Sequence, residues 1–447
     1  MQKFASEQKF VGGMGKEIVF YYDIICPYAY LASKLIKDVA QRNGAKLVWR
    51  PVLLGGIYKS TKLATTNIPD NKLIKSYSDQ KRRILAQDLA ILYDRYKVPI
   101  SAFKVPDIQT LNAMRLIAST PSESDAVREK LTHVLFDAIW LHQNDVSDLT
   151  ILQGIADSAL LNLNVNNLVN DKLNPAREIL VKNTEEAVKR GAFGVPSMWV
   201  NNRLYFGSDR LFMVENELGN KAAKPHRLLL KSNVEKAKLT VFLDFSSPWT
   251  YLAMKQIPAL LRSVSPVEVD VEYVPVVVGV IFRDIGTPMV PLYTMGENKR
   301  NYQIQDFNDW LKYYGIKNFQ FSSHFPLRTL LPLRVSIVNP EFKMMENIMD
   351  AIWCENKNVS DEQVLSEILS SSGYDAQQLL KDAQADEIKL KLRQNTQRGL
   401  DAGICGVPSF QINDGPVVFG QDRMNVLADM LLGWKFGLKE KLQGSKL

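Results

Sequence analysis

Three cysteines in 447 residues, Cys26, Cys354 and Cys405, are too few and too scattered for a disulfide framework or a zinc site. Four histidines argue against a His-based metal centre. No run of about 18 apolar residues occurs, so no helical membrane span is expected. Basic residues exceed acidic ones by only 7, as 55 − 48, and form no dense block, so no nucleic-acid face is expected. The first sixteen residues hold no long apolar core, and no secretory leader is expected. What is present is the composition of a soluble globular protein, 46% hydrophobic and 23% charged, with a reducing compartment as the default. The length exceeds one ordinary core and suits two domains of about 200 residues.

One stretch organises the rest. Val19–Leu31 reads VFYYDIICPYAYL. The aromatic run Ile18–Tyr22 predicts a buried strand, and Asp23 to Cys26 break out of it. Pro27 suits a first helical position, where its missing N–H costs nothing. Cys26 is therefore expected at a strand-to-helix turn, at the positive end of a helix dipole, where a thiol pKa is lowered and an anion is favoured.

The same phrase returns in the second half as VFLDFSSPWTYL, Val241–Leu252, with Ser247 in the place of Cys26 and Pro248 in that of Pro27. Further pairs keep the same order. Asp137-Ala138-Ile139-Trp140 recurs as Asp350-Ala351-Ile352-Trp353. Gly194-Val195-Pro196-Ser197 recurs as Gly406-Val407-Pro408-Ser409, and Phe206-Gly207-Ser208-Asp209-Arg210 as Phe419-Gly420-Gln421-Asp422-Arg423. This is a duplicated domain. Each copy runs strand, helix, strand, a long helical section, then two strands around a turn and a closing helix. The expected class is α/β: two tandem thioredoxin-like domains, each with an inserted all-helical subdomain. The first covers 16–219, with its insertion at about 72–190. A basic, poorly patterned linker follows at 220–238. The second covers 239–437, with its insertion at about 297–402. Trp140 and Trp353 read as core. The chain ends Ser445-Lys446-Leu447, a receptor-read peroxisomal address, so the peroxisome and its import receptor are the expected location and partner.

On these motifs the chain resembles the kappa-class glutathione transferases and the bacterial 2-hydroxychromene-2-carboxylate isomerases, within the DsbA-like branch of the thioredoxin superfamily. The resemblance implies a site for glutathione, as co-substrate, in each copy. The catalytic serine of the family matches Ser247, and Cys26 takes its place in the first copy. The cis prolines match Pro196 and Pro408, with Val195 and Val407 before them binding the cysteinyl part of glutathione. Ser208 and Asp209 match the pair that holds the γ-glutamyl end, where the second copy offers Gln421 and Asp422. Asn67 and Lys81 match the residues that bind the glycyl end; Lys299 is the second lysine, and Thr287 replaces the asparagine. Asp88 and Asp306 match a further helix aspartate. Kappa enzymes are dimers, so two copies in one chain suggest an internal pseudo-dimer.

The chemistry follows from the thiol. Its unperturbed pKa is about 8.5, and lowering it by about two units needs about 2.7 kcal/mol. A hydroxyl donor such as Ser247, aimed at the sulfur from a helix tip, can supply that through a charge-assisted hydrogen bond and the dipole. A plain helix cap is the competing role. Cys26 is a poor donor; an ionised Cys26 suits a mixed disulfide with glutathione, and an inert buried thiol is the alternative. No second cysteine follows within Cys26-Pro27-Tyr28-Ala29, which disfavours a dithiol oxidoreductase. Asp422 could equally cap a helix or pair with Arg423, Lys81 and Lys299 could be surface lysines, and Cys405 lines or fills the pocket. The expected activities are conjugation of glutathione to a small electrophile or reduction of a hydroperoxide. A glutathione-dependent isomerase and a monothiol oxidoreductase or glutathione-binding protein remain open.

Overall fold

The computed structural model describes residues 15–61, 78–101, 103, 105–121, 125–159, 164–171 and 174–437. Asn67 and the terminal Ser445-Lys446-Leu447 lie outside the described residues. The chain forms two compact units: one takes the residues up to Ile57 with Pro106–Pro225, the other Tyr58–Val105 with everything from His226 onward.

The elements of the first half, in order, are β1 (Glu17–Tyr22), α1 (Pro27–Arg42), β2 (Lys46–Pro51), α2 (Leu54–Ser60), α3 (Asp79–Tyr96), α4 (Leu111–Ala118), α5 (Asp125–Trp140), α6 (Leu149–Ser158), α7 (Val165–Asn170), α8 (Pro175–Lys189), β3 (Ser197–Val200), β4 (Arg203–Phe206) and α9 (Leu211–Glu217). The first unit's sheet has the order β2-β1-β3-β4. Strand β1 pairs parallel with β2, placing Phe20 opposite Trp49, and antiparallel with β3, placing Val19 opposite Trp199. A central strand covered on both faces needs apolar side chains throughout, and Ile18 to Tyr22 are all buried. Phe20 and Tyr22 stack at 5.4 Å, and Trp49 meets them edge-on at 5.3 and 5.6 Å. The β3–β4 turn lies at the expected Asn201-Asn202, with φ of +48° and +63°. Asparagine tolerates that left-handed backbone, which a two-residue hairpin turn requires.

The second half runs β5 (Lys236–Leu243), α10 (Pro248–Ser263), β6 (Glu268–Pro275), α11 (Val278–Asp284), α12 (Pro291–Thr294), α13 (Glu297–Tyr314), α14 (Leu330–Val338), α15 (Phe342–Trp353), α16 (Glu362–Ser371), α17 (Ala376–Asp382), α18 (Asp386–Ala402), β7 (Ser409–Ile412), β8 (Val417–Phe419) and α19 (Met424–Leu431). Its sheet, β6-β5-β7-β8, repeats the first. Strand β5 opens at Lys236, inside the stretch read from sequence as linker.

Helix α3 belongs to the second unit although the first half encodes it. Its Ile84 joins a buried cluster with Phe242, Val274, Ile281, Cys405 and Val407. Gln80 Nε2 donates to the Ile404 carbonyl at 2.7 Å, and Gln87 Nε2 to the Val417 carbonyl of edge strand β8 at 2.6 Å. Arg95, near the end of α3, pairs with the fully buried carboxylate of Asp429 on α19. Arg227 joins the same carboxylate at 2.7 Å, and Arg95 donates to the His226 carbonyl at 2.9 Å. The linker is thus tied down at His226 and Arg227. A buried carboxylate demands cationic partners. Those partners lie 334 and 202 residues away, where no local pattern reveals them.

Candidate functional site

Each central strand ends at an aspartate, Asp23 or Asp244, and the chain turns there into a helix opened by proline. Ser247 is the N-cap of α10: its Oγ accepts the Thr250 N–H at 3.3 Å and donates to the Val407 carbonyl at 3.2 Å. The Val407–Pro408 bond is cis. Cys26 is the N-cap of α1, and its Sγ lies 3.2 Å from the Val195 carbonyl, before cis Pro196. The fold therefore brings together both pairs singled out from sequence.

Exposure separates the two turns. Ser247 is half-buried, whereas Cys26 is buried. Burial pushes the Cys26 thiol up to about 12 and the nearby Asp23 charge adds to the rise, while the N–H groups of Ala29 and Tyr28 oppose it. Desolvation outweighs the helix tip here, which runs against the lowered thiol pKa expected at Cys26.

The second motif docks beside the prolines. The Gly207 N–H donates to the Pro196 carbonyl at 3.0 Å, and the Gly420 N–H to the Pro408 carbonyl at 3.0 Å. Their φ values are +94° and +103°, and a Cβ on either would sit 2.5 Å from an oxygen of Asp209 or Asp422. Only glycine lets this turn close on its aspartate. The Arg210 guanidinium lies 2.8 Å from Asp209, and that of Arg423 3.1 Å from Asp422. Ser208 and Gln421 are buried at this turn. Gln421 Oε1 accepts the Tyr314 hydroxyl at 2.9 Å.

The lysines complete the picture. Lys299, on α13, is half-buried and has its pKa pushed down to about 8, first by burial and then by the charge of Lys81. Lys81, on α3, is itself lowered by burial. Its charge draws down the buried Cys405 thiol, which burial raises to about 11. Lys81 therefore lies in the second unit, among Cys405 and Lys299, although the sequence reading grouped it with Asn67. Asp88, about two turns further along the same face of α3, holds Arg423 through Nε at 2.7 Å and Nη2 at 2.9 Å. Asp306 is buried on α13.

Sequence reasoning missed what fastens the turns. Asp23 accepts from the N–H groups of Ile25 and Leu54 and from the Thr110 hydroxyl. Asp244 accepts from Ser246, Val278 and Thr329 in the same way. The indoles of Trp140 and Trp353 donate to the turn carbonyls of Ile24 and Phe245 at 3.0 and 3.2 Å. Two signals were available. The aspartate stands three residues before the tip in both copies, and the chain carries Thr-Leu followed by Arg at 110–115 and again at 329–334.

The family model of the DSBA-like thioredoxin domain matches residues 17–219 and again 238–432. A 2-hydroxychromene-2-carboxylate isomerase of Sphingobium xenophagum is 28% identical over 207 residues, 46% of this chain and 99% of the isomerase. Glutathione S-transferase kappa 1 of Rattus norvegicus is 27% identical over 233 residues, 48% of this chain and 96% of the transferase. A solved 2-hydroxychromene-2-carboxylate isomerase structure aligns with 46% of this chain and 96% of its own, at 24% identity and a TM-score of 0.38.

Proposed function

Since the chain belongs, by two successive matches, to the DSBA-like thioredoxin domain family, we propose that its second unit is a glutathione transferase of kappa type. The observation that carries this reading is the hydroxyl of the half-buried Ser247 at the tip of α10, 3.2 Å from the Val407 carbonyl. In the proposed reaction the peptide edge at Val407–Pro408 aligns the cysteinyl part of glutathione. Ser247 Oγ–H turns from the Val407 carbonyl to the sulfur and keeps its proton. The thiol proton leaves to solvent, and the thiolate attacks a small electrophile, forming a carbon–sulfur bond as the leaving group, chloride in the assay below, departs with its electron pair. Asp422 and Gln421 receive the γ-glutamyl end, while Lys299 and Lys81 supply positive charge for a carboxylate. The donor and the tip of a 16-residue helix account for the about 2.7 kcal/mol that two units of thiol pKa require.

The first unit is, in this reading, not a second catalytic centre. Its tip residue Cys26 is buried and its thiol raised to about 12, which disfavours thiolate chemistry there at neutral pH. Ser208, Asp209, Val195 and Pro196 keep the form of a binding set, and glutathione occupancy there is a separate outcome of the titration below.

The test is conjugation of glutathione to 1-chloro-2,4-dinitrobenzene with calorimetric binding alongside. Ser247→Ala is expected to lower kcat/KM about 100-fold with glutathione still bound. Loss of turnover in Cys26→Ser with none in Ser247→Ala would transfer the chemistry to the first unit and overturn the reading.

A second reading has the similarity to the Sphingobium isomerase in its favour. Turnover of 2-hydroxychromene-2-carboxylate with no conjugation would select it, on the same Ser247. The terminal Ser445-Lys446-Leu447 supports import into peroxisomes; a fluorescent fusion at the other end, with and without these three residues, tests that location.

A further inference from the structure

Asp244 lies three residues before Ser247 and is 2% exposed, yet it takes no part in the chemistry proposed above. Its carboxylate receives donors from three separate segments. The Ser246 N–H, at the turn itself, lies at 3.0 Å. The Val278 N–H, the first residue of α11, also lies at 3.0 Å. The hydroxyl of Thr329, the residue before α14, lies at 2.7 Å. Two of these are peptide N–H groups, which can only donate, and they engage both oxygens. The Asp244 carbonyl in turn accepts the Ser247 N–H at 3.2 Å, and the next carbonyl, of Phe245, accepts the Trp353 indole.

Unit one builds the same clamp from different neighbours. Asp23 is 2% exposed and takes Ile25 N–H at 3.2 Å, Leu54 N–H at 2.9 Å and Thr110 Oγ1 at 3.2 Å. The residue at the tip differs between the copies while the clamp does not. The clamp therefore serves the geometry of the turn rather than one tip side chain. A buried carboxylate costs free energy unless its hydrogen bonds are filled, and here three donors fill it.

Resting on the reading of Ser247 as donor, we infer that Asp244 is the positioning residue of the second site. It holds the Phe245–Ser247 turn so that the Ser247 hydroxyl stays aimed at the incoming sulfur. Through Thr329 it joins that aim to the start of the helical segment.

The experiment uses the full-length chain. Asp244→Asn sets an amide NH₂ against a peptide N–H and removes one acceptor. It is expected to lower kcat about 30-fold with KM for glutathione within about twofold of wild type. Thr329→Val should lower kcat about fivefold, and Thr329→Ser should restore it. Thr329→Val at wild-type kcat, or kcat and KM lost together in Asp244→Asn, would overturn the inference. A second readout needs no glutathione. In Ser247→Cys protein, site-resolved alkylation by iodoacetamide should run at least about tenfold faster once Asp244→Asn is added, because the turn that holds the tip against Val407 loosens. Where Asp244→Asn does not fold, Thr329→Val and Thr329→Ser in the same background carry the comparison. Rates within about twofold overturn the positioning role whatever the substrate is. A wild-type chain inert toward glutathione, with the thiol introduced by Ser247→Cys still responding, sinks the transferase reading and supports the role of Asp244.

Discussion

Arg423 of the second half is gripped by both carboxylate oxygens of Asp88 from the first half, at 2.7 and 2.9 Å. The pair joins helix α3 to the turn that carries Gln421 and Asp422. It sits with Ile84, Gln80 and Gln87 in a run of contacts that makes α3 part of the second unit. Two consequences concern folding and two concern the ionisable groups of the site.

A cut at the linker divides the chain where the fold does not. A fragment starting at residue 226 loses α3, and with it part of the apolar cover of Cys405 and Val407 and Arg95, one of the two arginines that pair with Asp429. It is expected to show no cooperative thermal transition. A fragment starting at residue 58 keeps the helix and should melt cooperatively. Circular dichroism on the two fragments decides the matter, and equal melting curves would refute it.

Asp429→Asn leaves Arg95, almost fully buried, without its anion. Breaking a buried pair on one side costs about 3–5 kcal/mol. The melting temperature of the second unit should fall by about 10 °C, as read by calorimetry. A change under about 2 °C would show that Arg227 and the backbone donors dominate the site.

Cys26 should resist modification. With its thiol raised to about 12, the thiolate fraction at pH 8 is about one in ten thousand. Iodoacetamide is therefore expected to label the partly exposed Cys354 first and Cys26 only after denaturation. Peptide mass spectrometry over a time course reads the order. Rapid native labelling of Cys26 would contradict the burial.

Lys299 gives the second unit a pH signature. Its value in the fold, about 8, lies below the ordinary 10.5. Between those values the unfolded chain binds more protons than the folded one, so stability rises with pH; below about 8 the buried charge weighs against the fold. Lys299→Met should abolish that rise in urea midpoint between pH 7.5 and 9, leaving the other slopes unchanged. Binding of S-methylglutathione, which has no free thiol, should weaken in wild type as pH passes about 8, and Lys299→Met should bind weakly throughout. Parallel profiles for the two proteins would remove Lys299 from the site.

Much of this was legible in the sequence because it is encoded locally. The run Ile18–Tyr22 is apolar on both faces, Pro27 and Pro248 mark helix starts, and Asn201-Asn202 marks a hairpin; neighbours within a few residues enforce each of them. The repeated phrases likewise placed Cys26 and Ser247 opposite their Val-Pro pairs. Other facts depend on groups hundreds of residues apart. The sequence read Cys26 as a reactive thiol because a helix tip favours a thiolate, but how deeply the thiol is buried is set by everything packed over it. The same holds for α3: its own pattern says helix, and contacts with distant residues, among them Asp88 with Arg423, Arg95 with Asp429 and Ile84 with Phe242 and Val407, assign it to the second unit. The chain itself determined the strands, the turns and the duplication, since these follow from backbone preference and side-chain periodicity. Tertiary structure alone decided which tip is the less buried and which half supplies helix α3 to the second unit, because burial and charge pairing are properties of the assembled core.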